Sequence, residues 1–448
     1  MSYAELLDSK RFVAPTVGVD VDASTLSPDA FPFQRDLAAW AIRKGRAAIF
    51  ATTGLGKTLM QLMWAQASGD RVLILAPLGV VAQTVREGER WGIKVVPARG
   101  TTEAVRGITI ANYEMLDHMH GDWDAVVLDE SSILKSFDGK TRTRLIERFA
   151  NTPRRLCCTA TPAPNDIAEI ANHAEFLGIM NRADLLVTFF VHDDAGWRLK
   201  GHAREPFYKW LASWGMALQH PSDLGYDDVG FSLPPLTVTP VTVEGEYAPA
   251  GQLFHKGLSG VTGRAKLRAA TASLRVEATI DLLTTDKWVV WCGRNDEQDA
   301  LAKALGVECV SVYGSLSPEE KVAREERWRL GTVPVLLTKP TVFGWGMNWQ
   351  HCHHVAFCGL SDSWEQYFQA IRRCWRFGQT SPVDVSVVLS EPEMPIYKNV
   401  LRKDLQAQSM VTELIRHGAE FARAEIATVS KRQTYITTQE MEVPTWLR

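Results

Sequence analysis

The stretch AAIFATTGLGKTLM (47–60) decides how this chain is read. A short apolar run enters two threonines and a Gly-Leu-Gly turn, then Lys57 and Thr58, and a helical pattern, TLMQLMWAQAS (58–68), follows. Strand, glycine loop and helix N-terminus in that order make a phosphate cradle. Gly54 and Gly56 let backbone amides curl around an anion, and the helix start near Lys57 adds unpaired N–H groups and a positive dipole end. Thr53, Gly54, Leu55 and Gly56 form the loop, Lys57 reaches the β- and γ-phosphates of a nucleotide, and Thr58 holds Mg²⁺. The pattern departs from the strict phosphate-loop form only at its first position, where Ala51 replaces glycine.

Outward from this loop the same alternation recurs. RVLILAP (71–77), GITIAN (107–112), DAVVLDE (124–130) and RRLCCTA (154–160) read as buried strands, with helical patterns such as VVAQTVREGERW (80–91) between them. Alternating strand and helix predicts a parallel sheet covered on both faces. Residues 166–230 read as mostly helical, and SLPPLTVTPVTVEG (232–245) as a proline-broken connector. Alternation returns with KWVVWCG (287–293), VECVSVYG (307–314), VPVLLTK (333–339), HHVAFCG (353–359) and VDVSVVLS (383–390), and a helical tail follows. The expected organisation is an N-terminal extension (1–25), a first α/β lobe (26–240, helical insertion about 180–230), a linker with helices (241–286), a second lobe (287–400) and a C-terminal helical brace (401–448).

Bulk properties set limits. The 448 residues are 46% hydrophobic and 23% charged, ordinary for a globular chain and unlike a disordered, coiled-coil or collagen-like one. With 49 basic and 52 acidic residues the net charge is −3, so charge alone does not point to nucleic acid. No run approaches the ~18 apolar residues of a membrane span, and the N-terminus lacks a signal-peptide core; a cytoplasmic, non-membrane protein is the default expectation. Seven cysteines without a CxxC pair fit reduced thiols.

DAVVL delivers Asp129 and Glu130 to the carboxyl end of a strand, where open α/β sheets bind ligands. One carboxylate can hold Mg²⁺ and the next can deprotonate an attacking water; these roles fall to Asp129 and Glu130 respectively.

Taken in order, these segments resemble the superfamily-two helicases and, within them, the Swi/Snf-type DNA translocases. FPFQRDL (31–37) looks like the adenine-sensing segment, with Gln34 as reader. ATTGLGKT (51–58) looks like motif I, LILAPLGVVAQTVRE (73–87) motif Ia, ITIANYEML (108–116) the next DNA-side motif, LDESSILK (128–135) motif II and CCTATPAPN (157–165) motif III. In the second half, WVVWCGRNDEQDALAKAL (288–305) looks like motif IV, LLTKPTVFGWGMNW (336–349) motif V, with Gly344, Gly346 and Asn348, and QAIRRCWRFGQ (369–379) motif VI. The resemblance spans about residues 26–390. It implies two tandem RecA-like lobes and ATP hydrolysis with Mg²⁺, coupled to movement along DNA by about one nucleotide per cycle. The DNA would be double-stranded and read without sequence preference, and the motor would act as a monomer. It also implies Gly346 at the nucleotide, Arg373 and Arg376 as fingers to the γ-phosphate across the cleft, and Thr159, Thr161 and Gln369 as coupling residues. Their spacing of three would put both arginines on one helical face.

Arg372 departs from the family, standing where many relatives carry Asp, and the region between motifs III and IV is short for a nucleosome remodeller. Arg99, Arg294, Thr338 and Lys339, at loops and strand ends, are candidates for DNA phosphate contacts. Trp197, Trp210 and Trp214 read as core rather than base-stacking residues, and HCHH (351–354) with Cys358 as structural rather than metal-binding, since the spacing matches no zinc pattern. Two other readings stay open: a strand-separating repair or recombination helicase, and a nucleotide-gated binding module that does not turn over.

Overall fold

The computed structural model describes residues 14–135, 139–164, 166–193, 196–244, 268–343 and 347–430. Two parallel sheets form its two lobes. The first contains β1 (Arg46–Ala51), β2 (Arg71–Ala76), β3 (Val95–Pro97), β4 (Gly107–Asn112), β5 (Ala125–Asp129), β6 (Arg154–Cys158) and, beyond a small β7–β8 hairpin (Phe190–Asp193 and Gly196–Leu199), β9 (Gly215–Leu218). Their order is β3-β4-β2-β5-β6-β1-β9. The central strands are buried throughout and therefore nearly continuously apolar, as expected where helices cover both faces. This order places β6 between β1 and β5, so the loops after all three meet at one sheet edge.

The second sheet contains β10 (Leu236–Val243), β11 (Trp288–Cys292), β12 (Cys309–Ser311), β13 (Val335–Thr338), β14 (His354–Cys358) and β15 (Val383–Ser390), ordered β10-β15-β14-β11-β13-β12. The proline-broken connector is thus corrected in part. Residues 236–243 pair in parallel with all of β15 as an edge strand of the second sheet. Pro240 is tolerated because an edge strand leaves one row of N–H groups unpaired, and the alternating burial of β10 is that of a strand covered on one face. Two first-lobe strands also lie where helix or loop was expected: β3, and β9, a four-residue strand inside the helical region that pairs with β1.

The tryptophans of the insertion do pack as core. Trp210 and Trp214 are fully buried, 5.2 Å apart, and Trp197 packs against the same cluster. His351 lies 4.9 Å from the ring of Trp328, and His354 stacks on Trp288 at 4.9 Å.

The C-terminal extension is one 37-residue helix, Met394–Ser430, about 55 Å long at 1.5 Å per residue. It begins beside a buried cluster in which Arg275 pairs with both Glu297 and Glu393. Its first half buries Tyr397, Val400 and Ala407 in the second-lobe core; Leu414, Ala422 and Ile426 then pack into the first lobe. Glu425 accepts from Lys44 Nζ at 2.8 Å and from Trp40 Nε1 at 3.3 Å, and Arg204 pairs with Glu413. The helix is a strut joining both lobes. No helix among the described residues is long and apolar enough to cross a membrane. Replacing Glu425 by Ala strips the largely buried Lys44 ammonium of its carboxylate and is expected to cost about 1.5–3 kcal/mol, measured by urea denaturation; Glu425→Gln, which can still accept from Trp40, should lose less.

Candidate nucleotide site

A cleft of about 610 Å³ lies between the lobes. Its first-lobe wall holds the loop after β1 and the acids after β5. Its second-lobe wall holds Asn348, Gln350, Arg373, Arg376 and Phe377. The sequence-predicted residues Gln34, Thr53, Gly54, Gly56, Lys57, Thr58, Asp129, Glu130, Arg373 and Arg376 all line it, and Leu55 lies buried beneath. Gly346 falls outside the described residues.

The loop is built as its glycines require. Gly54 and Gly56 have φ of 98° and 80°, a left-handed region in which side chains are strained. A Cβ at Gly54 would sit 2.8 Å from Phe377 Cβ, and one at Gly56 would collide with the Gln34 amide. Ala51 ends β1 in extended conformation, so the glycine of the strict pattern is not needed there. Gly56 caps the helix Lys57–Ala67, whose first N–H groups face the cleft. Lys57 Nζ donates to the main-chain oxygens of Ala51 at 2.8 Å and Thr52 at 3.5 Å. Burial lowers its pKa, opposed by the nearby Glu130 and Asp129 charges.

Gln34 is buried, and both ends of its amide are engaged: Oε1 accepts from Phe31 N–H at 3.0 Å and Nε2 donates to Leu55 O at 3.0 Å. A primary amide has a second N–H and a second lone pair, so these two bonds leave one of each unused. Gln34 therefore also ties the helix Pro32–Lys44 to the phosphate loop, a role its sequence position did not reveal.

Asp129 ends β5 and its Oδ2 accepts from Gln61 Nε2 at 3.1 Å. Burial, and then the charge of Glu130, push its carboxyl up to about 7. Glu130 is raised in the same direction by burial, opposed by Lys57 and Arg373. Its φ of 56° is the only positive value at a non-glycine among the described residues. Thr159 Oγ1 donates to Glu130 Oε2 at 3.3 Å and accepts from Thr161 N–H at 3.1 Å. Of the motif III coupling candidates, Thr159 touches the acid directly and Thr161 reaches it only through Thr159.

The second lobe answers with cations, though not from a helical face. The helix Trp364–Ile371 ends before Arg372, and Arg373 and Arg376 lie in the turn beyond it, which corrects the expected spacing argument. Arg373 is buried and firmly held: Nε donates to Gln369 O at 3.0 Å, Nη2 to Gln369 Oε1 at 2.9 Å and Nη1 to Met347 O at 3.2 Å. Burial, then Arg376, lower its pKa to about 9, opposed by Glu130. Arg376 donates to Met347 O at 3.3 Å. Arg372 lies 4.3 Å from the ring centroid of Trp375, away from this wall.

Glu365 adds a cross-cleft contact: its carboxylate accepts from Ser132 Oγ at 2.7 Å and pairs with Lys135, both just after Asp129-Glu130. Sequence reading did not single out Glu365. Phe231 was also missed; it packs 4.9 Å from Phe31 and 5.0 Å from Phe377 at the mouth of the cleft.

The DNA candidates divide. Arg294 and Lys339 lie just past the ends of the paired strands β11 and β13, with Lys339 bonded to Asn295, and Arg294 in an ion pair with Asp296 at 2.8 Å. Arg99 is exposed after β3, its main-chain N–H bonded to Glu103. Thr338 is corrected: it is fully buried and its hydroxyl donates to Val312 O at 3.2 Å, which leaves it no surface for a phosphate.

The raised Asp129 carboxyl makes a signed prediction. An acid whose folded pKa lies above its unfolded value destabilises the fold once ionised. Without Mg²⁺, Asp129→Asn should therefore be more stable than the wild type above pH 7, by up to about 4 kcal/mol. The difference should shrink as pH falls and vanish near pH 4, checked by urea titrations across that range.

Two segments of the chain match known protein families. Residues 33–184 match the SNF2-related domain and residues 274–378 the helicase conserved C-terminal domain. No curated protein sequence matches the chain. Among solved structures, the Sulfolobus solfataricus SWI2/SNF2 ATPase core in complex with dsDNA aligns with 16% identity and a TM-score of 0.42, over 92% of this chain and 99% of that one. The two matched domains lie in the two lobes that wall the cleft, and together they give the chain the domain architecture of a SNF2-family ATPase of the helicase superfamily, with ATP hydrolysis as its chemistry.

Proposed function

We propose that the chain is an ATP-driven translocase on double-stranded DNA. The observation that carries this reading is the cleft itself: phosphate loop and paired acids on one lobe, Arg373 and Arg376 on the other. A site divided between two bodies changes whenever they move, so hydrolysis and lobe motion are coupled by construction.

In this reading the loop amides, Lys57 and the helix N-terminus hold the phosphates, and the free N–H and lone pair of Gln34 meet the adenine edge. The donor set fits Mg²⁺: the Thr58 hydroxyl and the Asp129 carboxylate border the phosphate loop, and the desolvated acid pair calls for added positive charge. Bound there, Mg²⁺ would offset carboxylate and phosphate charge. Glu130, aimed by Thr159, takes the proton from the attacking water. Arg376, with few competing bonds, reaches toward the γ-phosphate when the cleft closes, while Arg373 fixes the turn that carries it. Such fingers are worth about 10³–10⁵ in rate. Arg294 and Lys339 are the proposed contacts to DNA phosphates; contacts of this kind carry no sequence information. We take residues 26–235 as the first motor unit and 236–400 as the second, with the C-terminal helix as brace.

The test is the steady-state ATPase rate without nucleic acid and with single-stranded, duplex and forked DNA and RNA. Duplex DNA should give the largest stimulation; equal rates in every condition would contradict the proposal. Displacement of a third strand from a triplex without unwinding of a forked duplex separates translocation from strand separation. Glu130→Gln should bind ATP like the wild type yet lose at least about 100-fold in turnover, whereas Lys57→Ala should lose binding and turnover together.

A further inference from the structure

Tyr113 stands in the turn after β4, within the segment ITIANYEML (108–116). Its ring is buried in the first-lobe core, and its hydroxyl donates to the main-chain oxygen of Asp129 at 2.8 Å. That carbonyl is where β5 ends and the chain turns out of the sheet. A buried carbonyl leaving a sheet needs a new donor, and Tyr113 supplies it.

The carbonyl belongs to the peptide unit joining Asp129 to Glu130. Because that unit is planar, fixing its oxygen fixes the plane from which the φ of Glu130 is measured. That φ is 56°, in the left-handed region that β-carbon-bearing residues avoid. Such a conformation persists only where surroundings over-determine it. At the other end, the Glu130 carboxylate is bonded to Thr159 Oγ1 at the long distance of 3.3 Å. The backbone is therefore the firmer of its two restraints.

We infer that Tyr113 is a positioning residue for Glu130: its hydroxyl holds the Asp129 carbonyl so that the strained Glu130 backbone presents its carboxylate to the cleft. The inference rests on the reading of Glu130 as the base. Without the hydroxyl, the 129–130 peptide can rotate toward an unstrained conformation and the carboxylate moves away from the water it must deprotonate. Phosphate binding does not pass through this peptide, so nucleotide affinity should be untouched.

Tyr113→Phe tests this, since the ring and its packing remain. Measured with full-length protein, kcat should fall about 10–100-fold, while the KM for ATP and the Kd for a non-hydrolysable ATP analogue stay within about twofold. Loss of affinity in parallel with kcat would indicate a general structural role and overturn the inference. So would turnover within twofold of the wild type in a protein whose Glu130→Gln variant is inactive. If Glu130→Gln itself keeps turnover, the reading of Glu130 fails first, and Tyr113 with it. Combining Tyr113→Phe with Glu130→Gln should reduce residual turnover no further than Glu130→Gln does; additive losses would show that Tyr113 acts elsewhere.

Discussion

Two carboxylates side by side at the end of a buried strand set the terms for the rest of the molecule. Asp129 and Glu130 are raised by burial, and Asp129 also by its neighbour's charge. Lys57 of the first lobe opposes both shifts, and its ammonium is itself destabilised by burial. Arg373 and Arg376 come from the other lobe. The acid pair is thus a reason for the lobes to approach, and bound metal and phosphates would alter that balance. In the proposed motor, electrostatics in this cleft would couple nucleotide state to lobe position.

The lobes are not free to approach anyhow. The helix Met394–Ser430 is rooted in the second-lobe core and packs on the first, tied by Glu413 and Glu425. Glu365 reaches across to Ser132 and Lys135, directly after Asp129 and Glu130. At the cleft mouth Phe231, on the segment between the lobes, touches Phe31 and Phe377. In the proposed motor, any lobe motion would therefore have a strut on one side and would alter these contacts beside the acids.

Much of this was legible in the sequence for a physical reason. The central strands are buried on both faces and read as continuous apolar runs, and the glycines of 54 and 56 are demanded by backbone conformation, so each leaves a local trace. What escaped is set by distant partners or by short edges. β10 alternates in burial and contains Pro240, so it resembled a linker; β9 has four residues. Thr338 looked like a surface residue at a strand end, but its hydroxyl turns inward to Val312. Arg373 and Arg376 line the cleft, although a turn, not a helical face, carries them. Gln61, Tyr113 and Glu365 meet the acid segment across 68, 16 and 233 residues of chain, with no local pattern to announce them.

The central claim is that the second lobe completes a catalytic centre which the first lobe only assembles. The most direct measurement is of Arg376→Ala, with nucleotide affinity and single-turnover hydrolysis determined separately on the same preparation. The account predicts hydrolysis slowed by about 10³-fold or more, with nucleotide affinity changed by less than about tenfold. Hydrolysis at the wild-type rate, or a loss confined to affinity, would contradict it.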